Sequence, residues 1–213
     1  MRKIFFAMVL ALVLSVQNFC AAAVTIDKAH FSTNENLIYP VVHTGNAAID
    51  KKINVAIIAE VDRFVTEVQK NAVTNNFLLA DIRSNYTIGS NQAGNTVILS
   101  IVLTESWYYQ GAAHPATVMH ALNFNTSSGA LMDVSYLTDV GSGVSKDELL
   151  RRVERALVKH CQQNGLTLFD NALPLKKLPT EFYWDENLKV HFIFQHYEVA
   201  PYAAGIIDVK LDD

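Results

Sequence analysis

Val97, Leu99, Ile101 and Leu103 share one side of an alternating run whose other side carries Ser100 and Thr104. Leu188, Val190, Phe192 and Phe194 alternate in the same way with Lys189, His191 and Gln195. A period of two predicts half-buried strands. Only Asn187 stands between Glu186 and Leu188, so residues 182–185 and 188–196 read as a hairpin, and Ile207, Val209 and Leu211 as a closing strand. Strands joined by so few residues must pair antiparallel. The chain is thereby restricted to an α+β fold, a mainly antiparallel sheet with helices packed on it.

The same order occurs twice. Strand-like runs at residues 24–30 and 37–43 precede a helix over residues 47 to about 71, with two strands after it. Strands near 117–125 and 131–136 precede a helix over residues 146 to about 163, again followed by strands. This gives ββαββ in each half, with residues 24–105 as an N-terminal half and 106–213 as a C-terminal half. Ile49, Ile53, Ile57, Val61, Phe64, Val65 and Val68 form the apolar stripe of the first helix. In the second, Ser145 and Glu148 form a capping box, Leu149, Val153, Ala156, Leu157 and Cys161 continue the apolar face, and Asn164-Gly165 ends it.

Arg2 and Lys3 lead into an apolar run from Ile4 to Val16, and Ala21-Ala22-Ala23 supplies the small residues of a cleavage site before Val24. Residues 1–23 therefore read as a signal peptide and the protein as exported, periplasmic or extracellular. The membrane enters only if this leader stays attached as an anchor. Cys20 lacks the flanking residues of a lipoprotein site and is expected to leave with the leader. Cys161 is then a lone thiol, and the fold rests on its core. Without Arg2 and Lys3 the balance moves from −4 to −6, 15 basic against 21 acidic side chains. Acidity of that size disfavours nucleic acid and anionic lipid as partners and suits a basic protein.

Reactive motifs are sparse. The seven histidines include no His-Glu-x-x-His, and no Cys-x-x-Cys exists, so no metal or cofactor is expected. His120 alternates with Val118, Leu122 and Phe124 and reads as a core histidine rather than a ligand. Gly141-Ser142-Gly143 lacks the spacing of a nucleophile elbow. Asp185 and Glu186 sit at the hairpin tip, where solvation is expected to leave their acidity ordinary. Gly89 and Gly94 bracket Ser-Asn-Gln-Ala, which reads as a turn. What stands out is aromatic: Trp107, Tyr108 and Tyr109 end a strand before Gly111 and His114-Pro115, and Gln195-His196-Tyr197-Glu198 runs into Pro201-Tyr202. Tyrosine joins an apolar face to a polar tip, the combination enriched at interfaces; a pair of packed corners serving only folding is the other reading.

The stretches YYQGAAHP, LNFNTSSGALMDVSYL and FQHYEVAPYAAGIIDVKL resemble a bacterial extracytoplasmic family of unknown function. It includes the outer domain of the lysozyme-sensing anti-sigma factor RsiV and the accessory domain of the peptidoglycan deacetylase PdaC. The likeness is strongest from about residue 106 to 211, with Tyr197 to Gly205 the most specific part. It implies an α+β domain that works outside the cytoplasm by binding, with a basic lysozyme-like protein or a peptidoglycan fragment as ligand. Neither sigma-factor control nor deacetylation is expected to carry over, because the segments responsible have no counterpart in this sequence. The expectation is a non-enzymatic exported binding domain with Tyr108, Tyr109, His114, Tyr197, Pro201 and Tyr202 at the recognition surface. Alternatives are a small periplasmic hydrolase using His114 or His196 as base, and a structural envelope protein.

Overall fold

The computed structural model describes residues 24–91, 97–139 and 143–212. The leader, the cleavage site, Cys20, Gly94 and the Gly141-Ser142 pair lie outside them. The fold is α+β, with three antiparallel sheets of two, four and three strands. No helix among the described residues is long and apolar enough to cross a membrane.

Strands β1 (Thr25–His30) and β2 (Ile38–His43) form the first hairpin. Helix α1 (Ala47–Thr74) follows, its first N–H groups taken by the side chain of Asn46. Its buried stripe of Ile53, Ile57, Val61, Phe64 and Val68 is the one the periodicity predicts. Asn54 ties the helix to β2 by accepting from Val42 N at 2.8 Å and donating to Val42 O at 2.8 Å.

The central sheet runs β3 (Leu79–Asn91), β4 (Ile98–Tyr109), β5 (Ala116–Asn125) and β6 (Ala130–Leu131). Leu99, Ile101 and Leu103 of β4, with Leu122 and Phe124 of β5, meet the α1 stripe in one apolar cluster. Strand β4 runs unbroken through residue 105, where the two halves were expected to divide. The strand expected at 131–136 is only two residues long. Beyond it Asp133 accepts from Ser135 N at 2.8 Å and turns the chain into a short helix, α2 (Tyr136–Asp139).

Helix α3 (Lys146–Asn164) has the expected Ser145 cap and left-handed Gly165 stop. Its buried face, Leu149, Val153, Leu157 and Cys161, packs on the third sheet, β7 (Phe182–Trp184), β8 (Val190–Phe194) and β9 (Ile207–Lys210). Each long helix thus has its own sheet, where one shared sheet was expected. Strand β7 joins the two layers. Trp184 N donates to Ser100 Oγ at 3.1 Å, that hydroxyl donates to Asn123 Oδ1 at 2.7 Å, and Asn123 Nδ2 donates to Phe182 O at 2.7 Å. Gly89, expected in a turn, lies inside β3 at this crossing; a Cβ there would stand 2.4 Å from Trp184 O.

Candidate functional site

Four of the six residues expected at a recognition surface, His114, Tyr197, Pro201 and Tyr202, fall at one corner. Gln195 holds it in place by clamping the open edge of β5, accepting from Met119 N at 3.1 Å and donating to Met119 O at 2.6 Å. Pro201 starts a 3-10 turn, Tyr202–Ala204, that projects the Tyr202 ring across to the β4–β5 connection. There the Tyr202 hydroxyl donates to Pro115 O at 2.8 Å. His114 stacks on the Tyr202 ring at 3.7 Å and His196 at 4.3 Å, while Tyr197 tilts against it at 5.7 Å. Tyr197 is 59% exposed and adopts φ 64, a left-handed conformation that costs an L-residue about 1 kcal/mol.

Burial holds the His196 imidazole below its ordinary pKa and the neighbouring His114 adds to this, against a hydrogen bond with the Tyr202 backbone. His114 Nδ1 lies 2.9 Å from its neighbour's carbonyl, Pro115 O. Among the described residues neither imidazole is hydrogen-bonded to a serine, aspartate or glutamate. The corner offers stacked rings and polar tips.

Tyr108 and Tyr109 are not brought there together, because successive strand residues face opposite ways. The Tyr108 hydroxyl donates to Ala112 O at 3.2 Å, within its own turn. Tyr109 turns toward α1, donates to Val68 O at 2.8 Å and accepts from Asn71 Nδ2 at 3.2 Å. Its place is the wall of a different feature, a cleft of about 400 Å³ between α1 and the central sheet.

Charge collects in that cleft. Continuing the apolar face of β4 past Leu103 places Glu105 under α1, fully buried, with neither carboxylate oxygen hydrogen-bonded. Burial, reinforced by Glu60 and Glu67 and opposed by His120 and Arg63, pushes its pKa up to about 8. His120, 27% exposed at the side chain, is no apolar-core residue: Glu60 Oε1 and Glu105 Oε2 each stand 3.8 Å from its Nε2, and Glu181 Oε1 lies 3.5 Å from its Nδ1. Burial lowers its pKa, but the hydrogen bond and charge of Glu181, with Glu60 and Glu105, outweigh that and raise it. Arg63 pairs with Glu60 and Glu67 and approaches His120 Nε2 at 3.1 Å.

A signal for this site exists in the sequence. Glu105 occupies the next place after Leu99, Ile101 and Leu103 in a period-two stripe, and Trp107 and Tyr109 continue it. A carboxyl inside an apolar stripe is a buried ionisable group. The hairpin tip also departs from expectation: the Asp185 side chain is only 17% exposed, and although burial raises its pKa, Lys210 and the N–H groups of Lys189 and Asn187 hold it well below the usual range.

Residues 145–212 match the family model DUF3298, described as a protein of unknown function. That segment spans α3 to β9 and carries His196, Tyr197, Pro201, Tyr202 and Glu181; His114, Glu60, Glu105 and His120 lie outside it. Two solved DUF3298 proteins share the fold over most of the chain. One, from Pseudomonas aeruginosa PAO1, has TM-score 0.57 and 10% identity, covering 88% of this chain and 89% of its own. The other, from Bacteroides fragilis NCTC 9343, has TM-score 0.51 and 15% identity, with 90% of each chain covered. At such identities the likeness is one of fold. No curated protein matches the sequence.

Proposed function

We propose that this chain is an exported, non-enzymatic binding domain whose contact surface is the corner of His114, Tyr197, Pro201 and Tyr202. Its partner is a basic protein of the lysozyme type. The observation that carries the reading is Tyr197: its ring is held in solvent by a left-handed backbone, beside a Tyr202 ring already fixed between two imidazoles. Strained backbone and an exposed aromatic ring occurring together mark contact positions. A surface whose rings are fixed beforehand loses little entropy when a partner docks. The imbalance of 15 basic against 21 acidic side chains after residue 23 steers a cationic partner inward. The stretch from Tyr197 to Gly205, whose sequence resembles the RsiV and PdaC domains, contributes Tyr197, Pro201 and Tyr202 to this corner, which is why a lysozyme comes before other basic proteins. Export rests on the apolar leader.

The hydrolase alternative draws no support from the corner, since among the described residues its imidazoles are hydrogen-bonded to neither a carboxylate nor a serine hydroxyl.

Calorimetry with a basic lysozyme, and separately with muropeptides, tests the proposal. Binding to the lysozyme is expected, weakened at least tenfold in Tyr197→Ala and in His114→Ala, and reduced by added salt. Muropeptide binding in its place would move the ligand class to glycan. Silence with both ligands would remove the proposal.

A further inference from the structure

Glu60 on α1, Glu105 on β4 and His120 on β5 each present one donor atom within 4.8 Å of the other two. We propose that these three side chains form a binding site for a divalent cation of the zinc class, at the edge of the cleft between α1 and the central sheet that Glu105 and His120 line. One imidazole nitrogen and two carboxylates form a donor set that zinc accepts, and the open cleft leaves a fourth position for water or a small ligand.

Two independent observations point to an ion. Glu105 is fully buried and both of its oxygens lack a hydrogen bond, although nearly all buried polar atoms find a partner. One of them, Oε2, stands 3.8 Å from His120 Nε2. The second lies behind the imidazole. Glu181 Oε2 accepts from Ala121 N at 2.7 Å, which fixes the carboxylate so that its other oxygen faces His120 Nδ1 at 3.5 Å. A carboxylate behind one ring nitrogen sets the tautomer and turns the lone pair of the other nitrogen outward, the arrangement found behind histidines that bind metal. Here that nitrogen is Nε2, and it faces Glu60 and Glu105.

Donors bound to zinc at ordinary distances stand roughly 3.3 Å from one another. The two 3.8 Å separations from His120 therefore need to close by about half an ångström, and the Glu60–Glu105 pair, within 4.8 Å, by up to about 1.5 Å, through side-chain adjustment. Arg63 holds the positive charge at this place, paired with Glu60 and 3.1 Å from His120 Nε2. Its side chain is 39% exposed, and Glu67, 2.7 Å from Nη1, gives it a partner further out. Guanidinium and metal ion are thus alternatives for the same donors.

Zinc titration of the purified protein by calorimetry, with cobalt absorption as a spectroscopic check, tests the inference. One ion per chain is expected. Glu105→Gln and His120→Gln should each weaken binding at least tenfold, with circular dichroism confirming that both stay folded. Removing the competitor in Arg63→Ala should strengthen binding about tenfold, an effect opposite to simple damage. Failure of Arg63→Ala to bind zinc, or undiminished binding in both ligand variants, would overturn it. The site shares no residue with the His114–Tyr202 corner, so this result and that of the partner titration are separable.

Discussion

Glu105 decides the chemistry of the cleft because its place on an apolar stripe leaves its charge without water. A carboxyl whose folded pKa stands near 8 holds a proton that the unfolded chain gives up near its ordinary value of about 4.3. Between those values the folded state binds more protons, so stability falls as pH rises, by at most about 1.4 kcal/mol per unit, and the contribution is gone above pH 8. The raised pKa of His120 acts in the same direction over its own interval. Urea denaturation from pH 4.5 to 8 is expected to show this decline, and Glu105→Gln to flatten it. A wild-type curve that rises across the interval would mean the carboxyl is ionised and paired. The sequence shows this residue in plain view, yet alternation only places it on the α1 face; that α1 would set Glu60, Arg63 and Glu67 above it depends on packing. Tyr108 and Tyr109 teach the converse. Adjacent in sequence, they part to opposite faces, so clustering along the chain was no guide to clustering in space.

The long elements are legible because each states its environment repeatedly. The apolar stripes of α1 and α3 are each written several times over, and the helices stand within three residues of their expected ends. Short elements lack that redundancy, which is why residues 131–136 became two residues of strand and a helical turn. Contacts between elements are less redundant still. Asn54, in the N-terminal third of α1, supplies both hydrogen bonds that β2 needs at Val42, which is fully buried. Asn54→Leu keeps the volume and strands a buried N–H and C=O. A loss of roughly 2–4 kcal/mol is expected, one unsatisfied group costing about 1–3. Thermal denaturation measures it, and a loss below 0.5 kcal/mol, as an order-of-magnitude bound, would show that water reaches Val42.

At the scale of the molecule, two helix-on-sheet layers meet through Ser100, Asn123 and the backbone of β7. All three side-chain hydrogen bonds of this contact are buried, and they replace the ladder partners that a strand edge crossing a sheet face cannot have. Asn123→Ala should therefore cost about 2–3 kcal/mol and loosen the third sheet against the second. Hydrogen exchange is expected to quicken at Phe182 to Trp184 and at Gln195 while α1 stays protected. Uniform quickening would instead mean that the layers unfold as one unit.

By itself the sequence determined the α+β class, both long helices, the hairpin signals and a tyrosine-bearing C-terminal turn, because periodicity and caps are local and each is stated by many residues. Only the tertiary structure decided that the strands divide among three sheets, that His114 and His196 close on Tyr202, and that Glu60, Glu105, His120 and Glu181 converge. Those meetings join residues as distant in the chain as His114 and Tyr202 or Glu60 and Glu181, and what fixes them is how the layers pack and which buried polar groups must find partners.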